Sequence, residues 1–89
     1  MTAEDRETRL KRLKIRSWRR GTKEMDLILG PFSDAHLAGF DAAALDEYEA
    51  LLAENDQDLY QWFSGQSDAP GDLVPIITRI KDTFTPKAV

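Results

Sequence analysis

The sequence predicts an all-α fold, a compact bundle of about five short helices in a single domain spanning residues 1–89. Three observations predict it. Apolar residues recur at three- and four-residue spacing throughout, and no segment alternates with the two-residue period of a strand. Turn and cap signals fall between those segments at Arg20-Gly21-Thr22, Gly39-Phe40-Asp41, Asn55-Asp56 and Gly65 to Asp72. The chain has 89 residues, 42% of them hydrophobic, enough for one core and too few for a second.

The first helix is expected from Ala3 to Arg20, a run of strong helix formers without Gly or Pro. Leu10, Leu13 and Ser17 or Trp18 give it one narrow apolar stripe on a basic surface. Gly21 fits the position just past a helix end, where a left-handed backbone is needed. Thr22 is placed to cap the second helix, which runs to about Leu37 with Met25, Ile28, Leu29 and Phe32 toward the core. Gly30-Pro31 predicts a kink or a restart within it.

Asp41 caps a third helix from Ala42 to about Ala53, buried through Leu45, Tyr48, Leu51 and Leu52. Asp46, Glu47, Glu49 and Glu54 are expected to look outward. Asp56 is the expected cap of a fourth helix, Gln57 to Ser64, which Gly65 ends. Asp72 is the expected cap of the fifth, with Pro75 tolerated in the first turn and a stripe of Leu73, Ile76, Ile77, Ile80 and Phe84. Thr85-Pro86 stops it and leaves a loose tail, residues 86–89.

The net charge of −4 conceals a division. Nine of the twelve Lys/Arg fall within residues 1–24, whereas twelve of the sixteen Asp/Glu lie beyond it. Such asymmetry points to a charged partner or to internal pairing. No cysteine is present, which excludes disulfides and thiolate metal sites and favours an intracellular setting. No apolar run approaches the roughly 20 residues that span a bilayer. The acidic residues Glu4, Asp5 and Glu7 argue against a transit peptide, and the expected compartment is a bacterial cytoplasm.

Little in the chain suggests catalysis. His36 is the only histidine, and no paired metal-ligand motif accompanies it. Ser17, Ser33 and Ser64 lack a neighbouring base in any recognisable motif, and no Gly-rich phosphate loop occurs. The residues describe a binding protein with no catalytic residue and no metal site. Arg20 and Glu24 each match the dipole of the helix end they occupy, so local physics alone does not require a partner for them.

The run Arg20-Gly21-x-x-Glu24, preceded by Arg19 and followed by Met25-Asp26 and an apolar helix to Phe32, resembles the RGxxE signature of the succinate dehydrogenase flavinylation factors. These are small bacterial and mitochondrial assembly factors that help attach FAD covalently to the flavoprotein subunit. Asp56-x-Asp58-Leu59-Tyr60-x-Trp62 resembles the acidic turn and aromatic helix of the same family. The likeness runs from about Leu13 to Gly65. Met25 stands where leucine is usual and Gln57 where proline is common.

The resemblance implies a chaperone-like factor, not an enzyme, that holds the flavoprotein's domains while the client's own histidine reacts with FAD. It implies that no cofactor is bound stably by this chain, FAD being attached to the partner. Arg19, Arg20, Gly21 and Glu24 would meet the flavoprotein, with Asp26 and Trp62 as further contacts that also have local explanations, pairing and packing. Fumarate reductase is a second candidate client. A monomer is expected, with no membrane and no nucleic acid as partner. The competing reading is a small nucleic-acid-binding or regulatory module that uses the basic first helix through Arg9, Arg12 and Arg16.

Overall fold

The computed structural model describes residues 4–84, Phe84 by its backbone alone. Five α-helices follow one another: α1 (Arg6–Trp18), α2 (Lys23–His36), α3 (Ala42–Leu52), α4 (Asp56–Ser64) and α5 (Val74–Phe84), with a 3-10 turn at Leu37–Gly39. No strand occurs among the described residues. The all-α expectation holds. The expected stop at Thr85-Pro86, the tail beyond it and the side chain of Phe84 lie outside the described residues.

Local capping chemistry sets most boundaries. Asp5 accepts from the Thr8 N–H at 2.7 Å, so α1 begins at Arg6 and not at Ala3. Thr22 and Asp41 cap α2 and α3 as expected, through the N–H groups of Met25 and Ala44. Gly65 closes α4 in the left-handed region at φ 82°.

Four local expectations need correction. Gly21 is not left-handed: among the described residues only Gly65 has a positive φ, and α1 closes instead at Trp18 with Arg19 as its C-cap. Asn55, not Asp56, caps α4, because the Asn55 side chain accepts from Asp58 N–H at 2.9 Å and donates back to the Asp58 carboxylate. Asp56 is thereby released for a longer-range role. α5 begins at Val74, so Asp72 lies one residue too early to be its cap, and Pro70 O accepts the N–H groups of Leu73 and Val74.

The fourth concerns the restart expected at Gly30-Pro31 as the alternative to a kink. α2 passes through it without a restart. Glycine before proline removes the Cβ that would clash with the ring and push the preceding residue out of the helical region. Leu29, Phe32 and Ser33 are buried around the site and Ser33 Oγ donates to Gly30 O at 2.7 Å, so packing holds the turn that proline weakens.

The core is built from Leu13 of α1, Met25, Leu29 and Phe32 of α2, Leu45, Tyr48, Leu51 and Leu52 of α3, Leu59 of α4 and the Leu73–Ile80 stripe. Tyr48 is fully buried, and its hydroxyl lies 2.5 Å from Ser17 Oγ. Ser17 Oγ itself donates to Leu13 O at 2.7 Å, which leaves the Tyr48 O–H to donate to Ser17. Burial pushes the Tyr48 phenol up to about 12, against a smaller opposing effect of that hydrogen bond.

Candidate functional site

The chain leaves α1 at Trp18 and enters α2 at Lys23, and the corner between them is fixed from a third direction. Asp56, the first residue of α4, takes Arg20 Nε at 2.7 Å on one oxygen and the Gly21 backbone N–H on the other. The rest of the Arg20 guanidinium donates to Leu52 O at 2.8 Å and Glu54 O at 2.7 Å, carbonyls at the end of α3. Both side chains are about nine-tenths buried. A cation at the C-terminus of α3 and an anion at the N-terminus of α4 each suit the helix dipole they meet. Asp26 adds a further tie, accepting the Arg20 backbone N–H at 2.6 Å.

The outward role expected for the Arg20 side chain is therefore corrected. Its guanidinium is taken up inside the chain, because three acceptors of the α3–α4 turn surround it. Asp26 pairs locally, the alternative noted for it above. What the corner presents to solvent is Arg19, the Gly21 backbone and Glu24, all exposed. Arg19 and Glu24 have no side-chain ion pair or hydrogen bond among the described residues.

Gly21 has a reason distinct from backbone freedom. A Cβ there would stand 2.8 Å from Asp56 Oδ2, closer than real Cβ contacts allow. A Cβ at this position would require the Asp56 carboxylate to move off the backbone.

Beside the corner lies a cleft of about 370 Å³ lined by Thr22, Glu24, Asp56, Gln57, Tyr60, Gln61 and Gln66. Tyr60 is 42% exposed, so an aromatic face stands open next to the Glu24 carboxylate. Trp62 is not gathered here. It is half-buried against the core and lines a different groove with Val74 and Ile77 of α5. Sequence reasoning missed Asp56 and Tyr60 as members of the site, though both stand in the second segment that carries the resemblance.

The basic edge of α1 turns out to be internal pairing. Arg9 bonds Asp46 at 2.6 Å and Glu49 at 3.1 Å, and Arg12 bonds Glu49 at 3.0 Å and Glu4 at 2.9 Å. Arg16 reaches Leu52 O at 3.4 Å. Glu49, expected to look outward, is half-buried, and its carboxyl is held below the usual range chiefly by Arg12. The arginines on which a nucleic-acid reading depends are already matched by carboxylates and a carbonyl. His36 stacks on Phe32 with ring centroids 5.0 Å apart, and no cluster of potential metal ligands occurs among the described residues. No described helix is long and apolar enough to cross a membrane.

A five-helix frame that displays a short exposed corner defines a small all-α protein. Its family follows from comparison. Residues 11–84 match the profile of the family described as flavinator of succinate dehydrogenase, and the chain belongs to that family. The protein named succinate dehydrogenase assembly factor 2, mitochondrial, of Meyerozyma guilliermondii is 40% identical over 82 residues, 92% of this chain and 58% of the relative. Its namesake in Schizosaccharomyces pombe is 40% identical over 67 residues, 75% of this chain and 48% of the relative. That of Aspergillus terreus is 40% identical over 74 residues, 83% of this chain and 24% of the relative. The chain thus spans from 24% to 58% of the length of these relatives. Their names also overturn the expectation of a bacterial cytoplasm: all three are fungal proteins called mitochondrial.

Proposed function

We propose that this chain assists the assembly of succinate dehydrogenase by binding its flavoprotein subunit, as a monomer, while FAD is attached covalently. The observation that carries the reading is the Arg19–Glu24 corner, in which the Arg20–Asp56 pair holds a bare glycine backbone and a free glutamate out to solvent. A preformed polar corner of this kind suits docking against another polypeptide, since little ordering is left to do on contact. Gly21 stands exposed beside Glu24, and Glu24 offers a charged acceptor to a donor on the client. FAD and the histidine that it joins belong to the client, so this chain acts by positioning and not as a catalyst. Fumarate reductase is a second client within this proposal.

The test mixes the purified chain with FAD and the purified FAD-free flavoprotein subunit, and reads flavin fluorescence on the denatured subunit. The expected result is faster or more complete attachment than without the chain. Attachment that proceeds equally with and without it would overturn the reading. The same assay on the fumarate reductase flavoprotein decides the second client.

A further inference from the structure

The cations of the α1–α2 hairpin divide by edge. Those toward α3 are neutralised by Asp46, Glu49 and Glu4. On the other side Lys14, Arg19 and Lys23 have no acidic partner among the described residues. Among the acids on that side Glu7 pairs with Lys11, whereas Asp34 and Asp26 accept only from uncharged N–H groups, the Trp18 indole at 3.2 Å and the Arg20 backbone. This side also carries three of the largest exposed apolar residues, Ile15 at 54%, Trp18 at 42% and Leu27 at 58%. Ile15 and Trp18 stand one turn apart on α1, and Leu27 stands one turn before Gly30 on α2. Trp18 lies flat against Gly30, where a Cβ would overlap its indole ring, so α2 gives way to seat an aromatic that is nonetheless left open. Grouped apolar exposure of this kind marks an interaction surface more often than chance.

We propose that the Ile15–Trp18–Leu27 face, rimmed by Lys14, Arg19 and Lys23, is a second docking surface for an acidic patch on the flavoprotein client. Charge complementarity selects the occupant: three cations without acidic partners among the described residues, on a chain of net charge −4, offer ion pairs to the carboxylates of a negative surface. Continuity selects the client over other acidic proteins, because Arg19 and Lys23 lie in the Arg19–Glu24 corner and belong to both surfaces. The inference rests on the function proposed above. It adds to the corner an apolar anchor and an electrostatic steering element on the outer face of the hairpin.

The experiment measures binding of the full chain to the purified flavoprotein subunit at low and moderate salt. The I15E/L27D variant changes only exposed side chains, and circular dichroism and thermal melting check its fold. We expect its affinity to fall about tenfold, as for loss of an apolar anchor. The R19E/K23E variant should bind more weakly at low salt and lose most of the salt dependence of the wild type. Wild-type affinity in both folded variants would overturn the second surface while leaving the function intact. Failure of the unaltered chain to bind the subunit would instead sink the functional reading, and this inference with it. Sedimentation showing a wild-type dimer dispersed by L27D would assign the face to a second copy, and binding to phosphatidylserine vesicles lost in R19E/K23E would assign it to a membrane. Either result overturns the proposal.

Discussion

The Asp56 carboxylate and the Arg20 guanidinium meet at 2.7 Å in a nearly buried pair that joins the ends of three helices. Arg20 also holds Leu52 O and Glu54 O, so removing its side chain takes a charged donor from one carboxylate and two carbonyls at once. Breaking a buried pair from one side typically costs about 3–5 kcal/mol. Arg20→Ala is expected to lower stability by roughly that amount, read from urea denaturation midpoints. Arg20→Lys should recover little of it, because one ammonium cannot reproduce a fork directed at three acceptors. An Arg20→Ala variant as stable as the wild type would show that the pair does not fasten the corner.

Gly21→Ala tests why glycine stands beside that pair. Its φ is not positive, so alanine meets no left-handed backbone penalty there. The expected cost of about 1–3 kcal/mol comes from the new methyl meeting Asp56 Oδ2. A double-mutant cycle separates the explanations: the Gly21→Ala cost should shrink sharply in an Asp56→Ala background. An undiminished cost would place the strain in the backbone after all.

The contrast between these two residues explains what the sequence could convey. Thr22, Asp41 and Gly65 were legible because a cap acts within one turn of its own position, and residue order reports that neighbourhood directly. The Arg20–Asp56 pair closes over 36 positions, and no periodicity or propensity reports such a distance. Gly21 was read as a helix terminator because a glycine needed for φ and one needed for close approach look identical in sequence. Glu49 was read as solvated for a related reason: the pattern of α3 placed it off the apolar stripe, without revealing that α1 brings Arg9 and Arg12 against that edge.

Gly30→Ala should destabilise despite its better helix propensity. The propensity gain is about 1 kcal/mol, but the methyl would enter the space of the Trp18 indole. Displacing the ring also breaks its hydrogen bond to Asp34. A lower melting temperature is expected for the single variant, with only partial recovery when Trp18→Ala is combined with it, because the new Cβ still meets the Pro31 ring. Stabilisation by the single variant would mean that Trp18 is free to leave α2.

Tyr48 gives the chain an alkaline limit. Its phenol is held up to about 12 in the folded protein against an ordinary value of 10.0, so between those values the native state keeps a proton that the unfolded state releases. Stability is fully present below pH 10 and should decline as pH rises toward 12. Tyr48→Phe removes this contribution at the loss of one buried hydrogen bond to Ser17, about 1 kcal/mol. Its unfolding free energy should therefore start lower at neutral pH and fall less steeply above pH 10. Parallel profiles for the two proteins would place the alkaline sensitivity elsewhere.

Glu24→Ala distinguishes display from scaffold. Glu24 is exposed and touches no other charged group among the described residues, so its loss should leave the melting temperature within a few degrees of wild type. Arg20→Ala also disturbs the corner, but through the fold. If the corner acts by contact, Glu24→Ala lowers covalent flavin on the client several-fold in a fully folded protein, with Gln recovering part of the loss through its remaining acceptor oxygen. Arg20→Ala should lose flavin only in step with its loss of folded protein and of corner rigidity, and low temperature or a stabilising osmolyte should restore part of it. The two variants then separate on one plot of flavin yield against stability, Glu24→Ala lying well below the line that Arg20→Ala defines. Coincidence of the two on that line would mean that Glu24 serves the fold and that the client reads some other part of the surface.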